Sequence, residues 1–176
     1  MSQKEFWRKR ILPSIIEVLL ATFEEEAKQA RCVLNVIKDS QLKYTPMDGM
    51  RTLGELANHL AQIPHLDPAF FNGEISDFED ARARESNLNR KAVTDIITVF
   101  DEGLEAVNKR FSNMSEDTFF VKNLKAFYEQ GPKRNWAHYL PEIITHIAMH
   151  KMQLWMYLKL AGASVNMMTY YGHHPE

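Results

Sequence analysis

The sequence predicts an all-α protein folded as a four-helix bundle with long crossover connections. Four long segments repeat apolar residues at a spacing of about 3.6, which is typical of amphipathic helices. No alternating apolar and polar run with hairpin signals is present, and glycine is scarce, with 7 in 176 residues. The predicted helices cover about residues 14–38, 52–63, 88–111 and 139–161, within a single domain of residues 1–176.

The first helix is predicted to begin near Pro13, because proline suits the first turn of a helix. Its apolar stripe consists of Ile15, Leu19, Phe23, Ala30, Val33 and Ile37. Glu26 falls within that stripe. Since unpaired glutamate is rarely buried, we expect its carboxylate to snorkel or to lie at the edge of the core.

A capping box predicts the start of the second helix. The hydroxyl of Thr52 can accept a hydrogen bond from the amide of Glu55, whose carboxylate can reach back. His59 lies at the edge of the apolar face of this helix. Pro64 and Pro68 are predicted to end or kink it, and the polar segment that follows is predicted to be an irregular connection.

The third helix carries a clean apolar stripe with no chemically reactive side chain in it. The fourth helix has Pro141 in its first turn and Gly162 as a stop, and a C-terminal tail of residues 163–176 follows. Because this helix is apolar on nearly all sides, it must be covered on more than one side, by connecting segments or by a second subunit. We predict a homodimer that packs on the outer face, around Trp155.

Composition and charge exclude several classes of protein. The formal net charge is −2 and basic residues are spread along the chain, so nucleic-acid binding is not expected. A single cysteine, Cys32, excludes an internal disulfide and fits a reducing compartment. The N-terminus lacks the apolar core of a signal peptide, and polar residues interrupt the most apolar segment. We therefore expect a soluble, cytoplasmic protein without a membrane span.

Two histidines, His146 and His150, lie four residues apart in the fourth helix. This spacing places both imidazoles on one side of the helix, where they could bind one ion. Alternatively, local hydrogen bonds satisfy both rings. An unpaired polar group beside aliphatic residues costs about 1–3 kcal/mol, a penalty that a metal bond would remove. His59 is available as a third ligand, and three imidazoles accept several divalent ions, including zinc and nickel.

Three further side chains are weaker candidates for catalysis or for support of the ligands. Glu55 and Glu142 each precede a histidine of this set by one turn, and ligating imidazoles usually donate their far N–H to a carboxylate or carbonyl. The alternatives are a helix cap for Glu55 and a solvated first-turn charge for Glu142. Gln153 could orient a bound water or substrate, or could be only a polar residue at the end of the bundle. The other histidines are predicted to lie at the surface: His65, His138, His173 and His174.

Two segments resemble motifs of the DinB/YfiT-like superfamily. Residues 50–60, MRTLGELANHL, are similar to its second-helix motif, and residues 140–154, LPEIITHIAMHKMQL, are similar to its fourth-helix motif. The resemblance implies an antiparallel four-helix bundle, often dimeric, that binds a divalent metal through three histidines at one end. The implied ligands in this sequence are His59, His146 and His150.

The resemblance also implies a function. Characterised relatives include transferases and isomerases that use low-molecular-weight thiols such as bacillithiol or mycothiol. We therefore expect a metal-dependent enzyme that transfers such a thiol to an electrophile. Cys32 points away from the main stripe of the first helix and is a poor nucleophile, so the thiol would come from outside. Two alternatives stay open: a metal-dependent hydrolase with Glu55 or Glu142 as base, and a non-catalytic metal-binding protein of the stress response.

Overall fold

The computed structural model describes residues 12–173 of the chain. This part contains seven α-helices and no β-strand. In chain order they are α1 (Ile15–Asn35), α2 (Leu53–Phe71), α3 (Phe78–Leu88), α4 (Val93–Ser112), α5 (Glu116–Phe119), α6 (Trp136–Leu160) and α7 (Met167–Tyr170). The four long helices form the bundle, because α1 and α2 each pack against both α4 and α6. The predicted all-α bundle is confirmed. None of the helices among residues 12–173 is long and apolar enough to span a membrane.

Capping boxes fix the starts of two bundle helices. The Ser14 hydroxyl accepts from the amide of Glu17, and the Glu17 carboxylate accepts from the amide of Ser14. Thr52 and Glu55 form the same reciprocal pair at the start of α2, as the sequence predicted. Each box satisfies two of the backbone amides that a helix start leaves without partners.

The helix α2 continues through both prolines, so the predicted end near residue 63 is wrong. Pro64 and Pro68 lie inside a helix that runs to Phe71. Proline normally breaks a helix interior, but close packing against α4 supports this one. A Cβ atom added at Gly103 of α4 would lie 2.9 Å from the Cβ atom of Pro64, so a glycine is needed where the two helices meet. The continuation matters for function, because it extends α2 past the site described below.

Other departures from the predicted boundaries have local causes. The helix α3 lies in the segment predicted to be irregular. Ala81 is its single buried residue, so its sequence has no apolar stripe that would have predicted a helix. The fourth bundle helix begins at Trp136 rather than near 139, and α4 begins at Val93 rather than near 88. Cys32, predicted to point away from the main stripe of the first helix, is nevertheless buried, since only 4% of the residue is exposed.

The outer face of α6 is partly covered by the C-terminal segment of the same chain. The indole N–H of Trp155 donates to the carbonyl of Asn166 at 3.0 Å, and the ring of Tyr170 lies 5.8 Å from the indole, centroid to centroid. Several apolar side chains of α6 nevertheless stay exposed: Met149, Met152, Met156 and Leu160. The homodimer stays a prediction.

A buried ion pair joins α1 to α6 beneath this C-terminal cover. The Lys151 side chain is only 1% exposed, and its ammonium lies 2.6 Å from the carboxylate of Glu26. It also donates to the amide oxygen of Gln29 and lies 4.1 Å above the ring of Tyr170. The Glu26 side chain stays 18% exposed, in keeping with the predicted edge position, and its carboxylate is paired with a lysine that the core encloses.

Candidate metal centre

Three histidines from two helices meet on one side of the bundle. His59 belongs to α2, and His146 and His150 belong to successive turns of α6. One ring nitrogen from each histidine lies within 4.8 Å of the other two. The Nε2 atoms of His59 and His150 are 3.1 Å apart. Ligand nitrogens around a tetrahedral zinc ion lie about 3.3 Å apart, so the cluster needs only small side-chain rotations to bind an ion.

Both α2 and α6 place these rings by regular helical geometry. The rings of His146 and His150 lie 4.8 Å apart, centroid to centroid, as expected for a pair one turn apart. The ring of His59 meets the His150 ring nearly at right angles, with centroids 4.5 Å apart. The packing of α2 against α6 therefore brings His59 next to His146 and His150, and the three rings form one set of possible metal ligands.

The surroundings of His59 and His150 favour their neutral forms. Burial lowers the pKa of His59 to about 3, with smaller contributions from His150, Arg51 and His146. Burial also lowers the pKa of His150, although the hydrogen bond that His150 donates to Gln153 acts in the opposite direction. Metal binding requires the deprotonated ring nitrogen. His59 and His150 are thus held in the ionisation state that a divalent cation needs.

Two polar side chains orient the rings of α6. The Nδ1–H of His146 donates to the carboxylate of Asp67 at 2.8 Å, and the Nδ1–H of His150 donates to the amide oxygen of Gln153 at 2.7 Å. These contacts place the proton of each ring on Nδ1. The unprotonated Nε2 atom of each ring is then available to bind a metal ion. The donor set and its supports fit a divalent metal ion.

Asp67 is the functional residue that sequence reasoning missed. It lies between Pro64 and Pro68, in a stretch that the prolines made appear irregular, although it is only 8% exposed in α2. Once the helix is known to continue, a four-residue step from His59 through Ile63 leads to Asp67 along the same side. That spacing was the available signal.

The two glutamates predicted as possible supports do not contact the three histidines. Glu55 is exposed, and its carboxylate accepts from the amide and the hydroxyl of Thr52, so the capping alternative describes its contacts. Glu142 is half exposed and lies 3.5 Å from Nε2 of His138. Any catalytic role of Glu55, Glu142 or Gln153 stays a prediction.

The remaining histidines lie outside the cluster. His65 is not in a surface turn: it lies within α2, half buried, and its Nε2 atom bonds to the carbonyl of Val99 at 2.8 Å. His138 is exposed in the first turn of α6, and His173 is exposed near the C-terminus. His174 lies outside the described residues.

Two cavities adjoin the histidines. The larger has a volume of about 280 Å³ and is lined by Asp67, Phe71, Tyr128, Glu142, Thr145, His146 and Met149. The smaller, of about 150 Å³, includes His59, Phe70 and Glu85 in its lining. Asp67, Tyr128 and His146 line both cavities. A small molecule could therefore reach the histidine cluster from a partly open space.

Replacing Asp67 with alanine is expected to weaken metal binding about 10–100-fold, because the proton on Nδ1 of His146 loses its acceptor. Competition titration against a zinc-chelating dye measures the change. Asp67→Asn should lose less, since its amide oxygen still accepts a hydrogen bond. Asp48→Ala, in an exposed turn, is the matched control, and equal affinities for Asp67→Ala and Asp48→Ala would contradict the assigned support.

Acidification is expected to destabilise the metal-free protein. The pKa of His59 is about 3 in the folded chain, against about 6.5 in an unfolded one. Between these pH values the unfolded chain binds a proton that the folded chain does not. The contribution of His59 to the free energy of unfolding is therefore complete above about pH 6.5 and decreases as the pH falls below it. Urea unfolding in the presence of a chelator, at about pH 7.5 and pH 5, measures the difference. His59→Gln should reduce it, and an unchanged pH dependence in that variant would contradict the account.

Comparisons with known proteins agree with this geometry. The sequence matches the model of the DinB family over residues 1–176. The fold is similar to that of a candidate DinB family member from Exiguobacterium sibiricum 255-15, with a TM-score of 0.69 and 19% identity over 90% of this chain and 99% of that one. It is also similar to a DinB-like protein from Bacillus cereus ATCC 10987, with a TM-score of 0.60 and 21% identity over 85% of this chain and 95% of that one. No curated protein of known function matches the chain significantly. The match over its full length shows that this chain belongs to the DinB family.

Proposed function

We propose that the protein binds a divalent metal ion through His59, His146 and His150, and that it transfers a low-molecular-weight thiol to an electrophile. The observation that carries this proposal is the convergence of three imidazoles beside a partly open cavity. Zinc and nickel both suit such a donor set. A bound divalent ion would supply a Lewis acid that favours the deprotonated form of a thiol or of water.

The chain's own residues suit an open site rather than a closed structural one. Structural zinc sites usually have four protein ligands, whereas three leave a position for substrate. The cluster among residues 12–173 offers three histidines and no fourth ligand. Asp67 and Gln153 hold His146 and His150 in place through their Nδ1 protons, so the Nε2 atoms stay aimed at a common point.

The thiol must come from outside the protein. Cys32 is buried in α1, and burial raises the pKa of its thiol, so it is neither accessible nor ionised. In the proposed reaction the external thiol loses its proton, its sulfur forms a bond to carbon of the electrophile, and the leaving group departs with the electron pair of the broken bond. The product is a thioether and the released acid.

Hydrolysis is a second candidate, which one contact favours. Glu142 lines the larger cavity beside His146, and its pKa is raised by burial and by the nearby carboxylates of Glu129 and Asp67. A carboxylate with a raised pKa is a better proton acceptor near neutral pH. Glu55 is less suited, because its carboxylate is engaged in the helix cap.

Turnover assays on the metal-loaded protein separate these functions. We expect zinc- or nickel-loaded protein to conjugate a low-molecular-weight thiol such as bacillithiol to 1-chloro-2,4-dinitrobenzene, and His59→Ala to fall to the uncatalysed background. The absence of turnover with every thiol tried would contradict the transferase. Ester hydrolysis without thiol, lost in Glu142→Gln, would favour the hydrolase. Stoichiometric metal without either activity would leave a non-catalytic metal-binding protein.

A further inference from the structure

The larger cavity beside the histidines is lined by acidic side chains and by no lysine or arginine among the described residues. Carboxylates of Asp67 and Glu142 line it, and Glu85 lines the adjoining smaller cavity. Among the residues that the structure describes, no lysine or arginine lines either space. Nε2 of His138 lies 3.5 Å from the Glu142 carboxylate and the guanidinium of Arg134 also acts on it, but neither residue is part of the cavity lining.

Asp67 presents an unused acceptor to this space. The residue is 8% exposed, and its Oδ2 atom accepts from His146, but no group within residues 12–173 donates to Oδ1. Oδ1 is not among the sealed, unpartnered side-chain atoms of residues 12–173, so it stays open to the cavity and can accept a hydrogen bond there. Since Asp67 lines both cavities, a donor on a bound small molecule could satisfy that oxygen.

The same carboxylates act on the neighbouring side chain of Tyr128. The pKa of Tyr128 is raised to about 12, first by burial and then by the carboxylates of Asp67, Glu129 and Glu142. Glu129 is itself engaged, because it accepts from the amide of Ala126 and from the hydroxyl of Tyr139. Asp67 and Glu142 therefore remain as the carboxylates that face the larger cavity.

Aromatic rings complete the lining. Phe71 and Tyr128 border the larger cavity, and Phe70 borders the smaller one, with its ring 5.6 Å from that of Tyr128. Aromatic faces attract cations through their quadrupole, most strongly where water is excluded. An anionic group would meet carboxylates here without a compensating basic residue.

We propose that this cavity binds the ammonium group of an amine-bearing substrate, placed between the carboxylates of Asp67 and Glu142 and the rings of Phe71 and Tyr128. The inference names a substrate class for the site of the proposed function and rests on that function. It assigns the cavity to the electrophile, because an anionic thiol would meet the carboxylates of Asp67 and Glu142 there.

A matched series of small probes tests the inference by isothermal titration calorimetry on the full-length protein. The probes are 2-phenylethylamine, 2-phenylethanol and phenylacetate, which share a ring and differ in charge. Each is titrated into chelator-treated and into zinc-loaded protein, and the zinc content of every sample is measured. In the chelator-treated protein neither the amine nor the carboxylate can coordinate zinc, so this arm isolates the cavity.

We expect the amine to bind about tenfold more tightly than the alcohol, or about 1.4 kcal/mol, and phenylacetate more weakly than both, in chelator-treated protein. Glu142→Gln should remove most of the preference for the amine, whereas Glu105→Gln, on an exposed face of α4, should retain it. Equal binding of amine and alcohol, or a preference that survives Glu142→Gln, would overturn the inference and leave the metal site intact. A preference for the amine in protein that binds no zinc would retain the pocket and overturn the proposed function instead.

Discussion

Substitution of His150 by alanine is expected to abolish stoichiometric metal binding. Loss of a supporting residue beside a ligand usually weakens affinity 10–100-fold, so loss of a ligand itself should exceed about 100-fold. His150 is the most buried of the three histidines, and its Nε2 atom lies 3.1 Å from that of His59. His59→Ala and His146→Ala should behave alike. Elemental analysis after dialysis against a weak chelator measures the metal retained per chain.

Two controls keep this experiment specific. His138→Ala removes an exposed histidine of α6 that is not part of the cluster, and it should retain the metal. His173→Ala combined with His174→Ala removes the pair near the C-terminus, which could bind metal adventitiously. Point substitution is preferable to truncation there, because α7 packs against Trp155 and Lys151. Metal content unchanged in all three cluster variants would contradict the site.

Substitution of Lys151 by methionine is expected to destabilise the fold strongly. It would leave the carboxylate of Glu26 without its cation in the protein interior, and breaking a buried ion pair costs about 3–5 kcal/mol. The substitution would also remove the ammonium that lies above the ring of Tyr170, which loosens the C-terminal cover of α6. Urea unfolding of chelator-treated protein measures the free energy of unfolding.

A double variant distinguishes the ion pair from a simple packing effect. Lys151→Met combined with Glu26→Leu replaces both charges by apolar groups, and it should recover most of the lost stability. Lys28→Met removes a lysine whose side chain is 67% exposed, and it should change stability by less than about 0.5 kcal/mol. A double variant no more stable than Lys151→Met alone would contradict the role of the pair.

The bundle was predictable because its four long helices bury regular stripes. The sequence could not reveal α3, since a helix with one buried residue has no apolar stripe, and its composition resembles that of a loop. It also could not show that α2 continues past Pro64, because the support comes from α4 at Gly103, about forty residues later in the chain.

The histidine cluster was predictable in part for similar reasons. The spacing of His146 and His150 is local information, and the family motifs supplied His59. The hydrogen bond from His146 to Asp67 requires that α2 continue through two prolines, whose low helix propensity predicts the opposite. The ion pair between Lys151 and Glu26 joins two helices that are far apart in the chain, so no local sequence pattern could predict it. Tertiary packing determined each of the features that sequence reasoning missed.

X-ray absorption spectroscopy at the zinc edge of the purified, zinc-loaded protein tests the metal site most directly. The account predicts one zinc per chain with three imidazole nitrogens at about 2.0–2.1 Å. The imidazole scattering should weaken in His59→Ala and stay unchanged in the His173→Ala/His174→Ala variant. A spectrum that shows fewer than three imidazoles, or one that is unaffected by His59→Ala, would contradict the assignment of His59, His146 and His150 as a metal site.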